Sequence, residues 1–260
     1  MGNENVILHY ADGDWDRVDG PLPTRDLRDV CMVSAEEGWA VGEEGTILHY
    51  QGDGWSRWLE SPTTRNLNGV HVLPSGEGWA VGDGGIILHY RPDEGDWFRV
   101  YRPVASRLNA VYTVAANDAW AVGDGGTILR YDDHGEWYRC PYPFCPAIQE
   151  NLYAIQMVSP DKGWIMGERG MVLEYTDGIW EEVLPHPTTA TLWDLHMLSA
   201  TDGWAVGEGG YERGILHYDG RRWSPLWGPT SKKLYGVVMA SHLEGWAVGE
   251  LGTILHYRVP

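Results

Sequence analysis

The chain has 260 residues and carries 19 Lys and Arg against 37 Asp and Glu, which gives a formal net charge of −18. This balance argues against nucleic acid or an anionic membrane surface as the main partner, because both require a concentrated positive field. Hydrophobic residues make up 43% and charged residues 22% of the chain, which excludes a disordered protein.

One motif recurs six times along the chain. Gly-Trp-Ala-Val-Gly, or a close variant, surrounds Trp39, Trp79, Trp120, Trp164, Trp204 and Trp246. Each copy is followed by a variant of Thr-Ile-Leu-His-Tyr and, in all but the last copy, by a short turn rich in Asp and Gly and another Trp. A further copy of this second motif ends at Tyr10. Because the period is about 40 to 45 residues, the repeat has the size of a β-propeller blade.

Each repeat contains four short runs rich in β-branched and aromatic residues, separated by Gly, Asp and Pro. In the first complete repeat they predict strand A at 27–34, strand B at 38–42, strand C at 46–50 and strand D at 55–59. Within strand C, alternation places Ile47 and His49 on one face and Leu48 and Tyr50 on the other. Both faces are therefore substantially apolar, as expected for a blade packed between two neighbours.

The repeats predict an all-β fold, a six-bladed β-propeller of four-stranded antiparallel blades in a single domain over 1–260. We expect a ring closed by N- and C-terminal strands, which removes an exposed sheet edge. The predicted blades are 21–60, 61–102, 103–141, 142–184, 185–226, and 227–260 joined by 6–20. One C-like strand is surplus, and the sequence leaves open whether 6–10 or 253–257 closes the ring.

The motif Gly-Trp-Ala-Val-Gly-x-x-Gly-Thr-Ile-Leu followed by Tyr-x-Asp-Gly-x-Trp resembles the repeat of the Asp-box or BNR-type propellers. It is most similar to the photosystem II assembly and stability factor family and its bacterial relatives, and the likeness covers nearly the whole chain. The resemblance implies a propeller with an assembly or binding function. Some copies depart from the family: the turns at 10–15 and 175–180 lack one or both of the Ser or Thr residues of the usual Asp-box.

Positions that differ between blades are candidates for a binding site, whereas positions that recur are candidates for the scaffold. One residue after the first Leu of strand A, blades one to three carry Arg28, Asn68 and Asn109, and blades four to six carry aromatic residues. An aromatic patch beside basic residues is typical of an interface or a ligand cleft. The predicted binding residues are Arg25, Arg28, Arg65, Tyr153, Trp193, Trp227 and Tyr235.

Two sets of titratable residues repeat once per blade. Five histidines at one strand C position (His9, His49, His89, His217 and His256) are predicted to pack locally rather than to bind metal. One acid in each B-to-C turn (Glu43, Asp83, Asp124, Glu168, Glu208 and Glu250) is predicted to be a solvated turn residue, with a cation or a basic partner as the alternative. His71 and His196 share a strand A position, and a two-histidine site is a minor alternative. We predict no metal and no cofactor.

The cysteines and the N-terminus bear on the compartment. Cys140 and Cys145 form either a disulfide, which would indicate an oxidising compartment, or a pair of free thiols. The sequence shows no transmembrane segment and no signal peptide. Localisation stays unknown, and an extracytoplasmic location is open if a leader was removed.

The favoured function is non-catalytic recognition of a protein partner by a monomer, through the face bearing the D-to-A and B-to-C loops. The first alternative is a carbohydrate-binding, lectin-like propeller, because Trp and Tyr faces stack on sugars and repeated blades give multivalent sites. The second is a sialidase-like glycoside hydrolase that would use an arginine cluster and a tyrosine. Catalysis is disfavoured because no phosphate loop, nucleophile elbow or zinc-protease motif is present.

Overall fold

The computed structural model describes residues 6–18, 25–209 and 214–259. The described residues form β-strands and four single-turn 3-10 helices, and they contain no α-helix. No helix in these ranges combines the length and the apolarity that crossing a bilayer requires.

The strands form the six blades of an all-β propeller fold, in the order that the repeats predict. Blades one to five are four-stranded antiparallel sheets with the strands in sequence order. Blade one is β3 (Leu27–Met32), β4 (Gly38–Gly42), β5 (Ile47–Tyr50) and β6 (Trp55–Arg57); blade two is β7 (Leu67–Val72), β8 (Gly78–Gly82), β9 (Ile87–Arg91) and β10 (Asp96–Arg99); blade three is β11 (Leu108–Ala115), β12 (Asp118–Gly123), β13 (Thr127–Tyr131) and β14 (Trp137–Arg139). Blade four is β15 (Leu152–Ser159), β16 (Lys162–Gly167), β17 (Val172–Thr176) and β18 (Ile179–Glu182); blade five is β19 (Leu192–Ser199), β20 (Asp202–Gly207), β21 (Ile215–Tyr218) and β22 (Trp223–Leu226).

The terminal strands form two smaller sheets. Strands β1 (Leu8–Ala11) and β2 (Asp14–Arg17) pair with each other, and β23 (Leu234–Ser241), β24 (Glu244–Gly249) and β25 (Thr253–Arg258) form a three-stranded sheet. Ile7 packs against Leu27, Ala40 and Leu48 of blade one. The described ladders thus give blade six three strands, and closure of the ring by the two termini stays a prediction.

By its contacts the chain divides into two compact units, with the division running through blade three. The first unit comprises 1–119 and 131–137, and the second comprises 120–130 and 138–260. The assignment of 1–260 as a single domain, with the blade limits given above, stays a prediction.

Alternation along the strands distributes the core between the two faces of each blade. Ile47 packs with Trp39 in a cluster shared with blade two, whereas Leu48 packs with Leu27 and Ala40 on the opposite face. This confirms that both faces of strand C are apolar. The Trp of the first motif is fully buried in blade one, where its ring contacts Tyr90 at 4.7 Å and Trp97 at 5.4 Å in the next blade.

Strand A of each blade (β3, β7, β11, β15, β19 and β23) is called the inner strand below. At one repeat position of the inner strands, side chains join consecutive blades. Its polar members receive a backbone N–H from the next blade: Cys31 from Val72 at 3.5 Å, His71 from Thr113 at 3.2 Å, Gln156 from Met197 at 2.7 Å, and His196 from Met239 at 2.9 Å. Both histidines accept through Nδ1, and burial lowers the pKa of each, that of His71 to about 4. These histidines thus act as neutral acceptors between blades.

Four of the five strand C histidines, His49, His89, His217 and His256, pack locally, as predicted. His89, His217 and His256 pair through Nε2 with an acid at the start of strand B, at 2.6 to 3.0 Å, and His49 lies 3.5 Å from Glu37. Each ring also contacts the strand B Trp, with a centroid distance of 3.9 Å between His49 and Trp39. Among the described residues, no three His, Cys, Asp or Glu side chains are grouped as metal ligands.

Blade four reverses the charges of this pair, since Lys162 replaces the acid and bonds to Glu174 in place of the histidine. Replacing Lys162 with Glu is expected to destabilise the protein by about 1 kcal/mol, because two carboxylates then face each other across the sheet. Adding Glu174→His recreates the pair of the other blades and should recover most of the loss. Urea unfolding measures both variants, and equal stability of the single and double variants would contradict the pairing.

Candidate functional site

The B-to-C turns and the D-to-A loops meet at the start of the inner strands. In the B-to-C turns that the structure describes in full, the second residue has a left-handed backbone conformation, with φ of 53° at Glu44, 56° at Arg169 and 58° at Leu251. The third residue of each of these turns is a glycine in the same conformation. The first residue is the repeated acid. Asn66 and Asn151, which precede their inner strands, connect consecutive turns. Asn151 Oδ1 accepts from the N–H of Gly125 at 2.9 Å, and its Nδ2 donates to Glu168 at 2.9 Å.

Four of the turn acids, Glu43, Asp83, Glu168 and Glu208, have hydrogen-bond partners within the protein. Glu43 accepts from Arg28 at 3.2 Å, and Glu208 accepts from Lys233 at 2.7 Å. Asp83 accepts from Asn66 and Asn68 at 2.9 and 3.0 Å. Burial acts to raise the pKa of Asp83, but these hydrogen bonds and the nearby Arg107 and Arg28 outweigh it, so the pKa lies below its usual value.

Arg28 belongs to a polar network in the first unit. Its Nη1 donates to Asn68 Oδ1 at 2.6 Å, and Arg107 donates to the same oxygen at 3.2 Å. Arg107 also lies 3.3 Å from Asp83. Two guanidinium groups therefore converge on one amide oxygen, and Glu43 and Asp83 partly balance their charge.

The other two predicted arginines, Arg25 and Arg65, are exposed. Arg25 pairs with Glu44 at 2.8 Å. Within the described ranges Arg65 makes no ion pair, and its guanidinium lies against the backbone of Gly84, whose carbonyl accepts from Arg102. The structure therefore places Arg28 among paired groups and leaves the charge of Arg65 available to solvent.

The three predicted aromatic residues of the inner strands lie side by side in the second unit. The ring centroids of Tyr153 and Trp193 are 4.3 Å apart, and those of Trp193 and Tyr235 are 6.2 Å apart with an angle of 65° between the ring planes. Tyr235 is 41% exposed. We call these three residues the aromatic row.

Glu168 holds one end of the aromatic row. The hydroxyl of Tyr153 donates to Glu168 Oε1 at 2.8 Å, and Asn151 donates to the same oxygen. Burial and this hydrogen bond raise the pKa of Tyr153 to about 12. The bond from Tyr153, joined by the bonds from Asn151, keeps the pKa of Glu168 below its usual value. The row therefore carries a fixed, ionised carboxylate at the hydroxyl of Tyr153.

Trp227, in the loop before β23, is 78% exposed, and no described contact joins it to the aromatic row.

Cys140 and Cys145 form a disulfide that closes a short loop, and Tyr142 within this loop is 85% exposed. This loop covers the edge of β18, since the N–H of Trp180 donates to the carbonyl of Phe144 at 2.8 Å.

Asn66 and Asn151 were not predicted to organise the site, and Glu168 was predicted only as a turn acid. The available signal was positional, because each asparagine directly precedes the first Leu of an inner strand. Which turn an asparagine reaches depends on how neighbouring blades are placed, and a single repeat does not contain that information.

Comparisons with known proteins agree with this fold. Residues 104–176 match the family model of the photosynthesis system II assembly factor YCF48. No curated protein sequence matches the chain significantly. A catalytically inactive virginiamycin B lyase from Staphylococcus aureus with quinupristin superposes with a TM-score of 0.81 at 17% identity, covering 99% of this chain and 89% of the lyase.

Two YCF48 structures are also similar. YCF48 bound to D1 peptide gives a TM-score of 0.53 at 17% identity, covering 97% of this chain and 98% of that one. YCF48 from Cyanidioschyzon merolae gives 0.50 at 17% identity, covering 92% and 97%. Such low identities support the fold and not an activity. The chain is a β-propeller, and its residues 104–176 resemble the photosystem II assembly factor YCF48.

Proposed function

We propose that the protein is a non-catalytic propeller that recognises another protein through the surface formed by its D-to-A loops and B-to-C turns. The aromatic row carries this proposal, because three rings at one repeat position adjoin on consecutive blades and the last of them is exposed. Tyr and Trp are the side chains that most often anchor protein interfaces. The D1 peptide bound by YCF48 is a precedent for peptide recognition by a similar fold.

Tyr153, Trp193 and Tyr235 are proposed as anchors, with Trp227 as an exposed contact on a neighbouring loop. In the first unit Arg25, Arg28 and Arg65 are proposed to contact acidic or polar groups of the partner. Their contributions should differ: Arg28 and Arg25 already have acidic partners, so Arg65 offers the most accessible charge. A monomeric state and the absence of a cofactor stay predictions.

A peptide-display selection on the immobilised protein tests the function, with the D1 peptide as a defined probe. We expect the Trp193→Ala/Tyr235→Ala variant to bind the selected peptides about tenfold or more weakly, because truncating the aromatic anchors removes most of the contact that they make with the peptide. Fluorescence anisotropy of labelled peptides measures the affinity, and thermal unfolding checks that the variant is folded.

Tyr142→Ala is the matched control, because it removes an exposed aromatic ring from a loop outside the row. Its affinity should equal that of the wild type. Equal affinity of the double variant and the wild type for every selected peptide would refute the anchors. Arg65→Ala should lower affinity mainly at low salt, as expected for an exposed charge.

A further inference from the structure

The aromatic row differs from three other aromatic rings of the described residues, because each of those three is covered by a cation. In three places the chain lays one of its own cations on an aromatic face: Arg91 on Phe98 at 4.8 Å, Arg130 on Trp120 at 4.9 Å and Lys162 on Trp164 at 5.3 Å. No cation of the described residues lies on a ring of the row. Its faces are therefore not used by the chain's own cations.

The electrostatic surroundings of the row favour a positive ligand. Glu168 stays ionised beside Tyr153 and accepts its hydroxyl proton in a hydrogen bond. A phenol that donates to a carboxylate has a more electron-rich ring, which strengthens its attraction for a cation. Glu168 and the ring of Tyr153 thus both attract a positively charged ligand.

Two cations lie near the row, and neither occupies it. Lys233, two residues before Tyr235, is bonded to Glu208 at 2.7 Å, which offsets its charge. Arg169, next to Glu168, is 82% exposed and lies 3.9 Å from Glu150. Glu208 offsets the charge of Lys233, and Arg169 is the weakest of the groups that lower the pKa of Glu168, so the carboxylate at Tyr153 stays ionised.

We propose that the aromatic row binds a basic side chain, lysine or arginine, of the partner protein. This proposal rests on the proposed function and specifies the chemistry of the partner. The cation would lie against the corner between Trp193 and Tyr235, with Glu168 supplying the long-range attraction. A partner segment with an exposed basic residue also suits a chain of formal charge −18.

The test compares choline with dimethylbutanol, its uncharged carbon isostere, by saturation-transfer NMR on the full chain. We expect choline to bind saturably and dimethylbutanol to bind about fivefold or more weakly, because only the charged ligand gains the cation–π attraction. Tyr235→Ala should abolish choline binding. Glu168→Gln preserves an acceptor for Tyr153 and removes the charge, so it should weaken choline binding severalfold. Tyr142→Ala should change nothing.

Equal binding of choline and dimethylbutanol, or no binding of either, overturns the proposal. Unchanged choline binding in Tyr235→Ala also overturns it. The peptide selection separates this failure from failure of the proposed function. If selected peptides lose affinity in Trp193→Ala/Tyr235→Ala but not when their basic residues are replaced by norleucine, protein recognition stands and the cation assignment falls.

Discussion

Replacing Gly126 with alanine is expected to lower the free energy of unfolding by about 2 to 5 kcal/mol. Gly126 is the third residue of the blade three turn and has φ of 64°. Its left-handed backbone costs an alanine about 1 to 2 kcal/mol. An added Cβ would also overlap the carbonyl oxygen of Ile148 in the following loop, and overpacking adds about 1 to 3 kcal/mol.

Gly125, the preceding residue, provides the matched control. It has φ of 61°, but a Cβ there would meet nothing within 4 Å. Other blades place Glu44, Arg169 and Leu251 at this position. Gly125→Ala should therefore cost only the backbone penalty, about 1 to 2 kcal/mol. Equal losses in the two variants, measured by urea unfolding, would show that contact with the loop contributes nothing.

Between pH 6.5 and pH 4 the wild type is expected to lose about 3 kcal/mol of folding stability through His71, and replacing His71 with glutamine is expected to remove this loss. Burial lowers the pKa of His71 from 6.5 to about 4, so the folded protein keeps the ring neutral while the unfolded chain protonates it. The stability from the neutral ring is complete above pH 6.5 and falls as the pH drops toward 4. The glutamine does not titrate, so this fall should disappear.

Glutamine is the appropriate replacement because the protein already uses it at this position. Gln156 accepts from Met197 in blade four, as His71 accepts from Thr113 in blade two. We expect His71→Gln to match the wild type within about 1 kcal/mol at pH 7. Asp29 contributes a pH dependence of the opposite sign, because burial raises its pKa to about 6. Both proteins contain Asp29, so its contribution cancels when the free energies of unfolding, measured with urea at each pH, are subtracted. Parallel wild-type and variant profiles would contradict the assignment.

The sequence predicted the blades well because their determinants are local. The alternation of Ile47 and Leu48 and the glycines of the turns are properties of one repeat, and each was copied six times. The side-by-side aromatic residues were also predictable, since Tyr153, Trp193 and Tyr235 share one position. Equivalent positions on consecutive inner strands lie next to each other once the fold is known.

Contacts that depend on the placement of neighbouring blades were not predictable. The turn acids were expected to be solvated, yet Asp83 and Glu168 receive hydrogen bonds from asparagines of the adjoining loops. The convergence of Arg28 and Arg107 on Asn68 likewise joins three consecutive blades. The disulfide was left open because spacing alone permits both a bond and free thiols.

The reversed pair of blade four bears on how the repeats can be exchanged. Lys162 and Glu174 lie on the two strands of one hairpin, so a duplication or recombination that moves the whole hairpin preserves their charge balance. A crossover within it would join an acid to an acid, or a lysine to a histidine. The hairpin of strands B and C is therefore the smallest segment that can be inherited or grafted between blades without a mismatch.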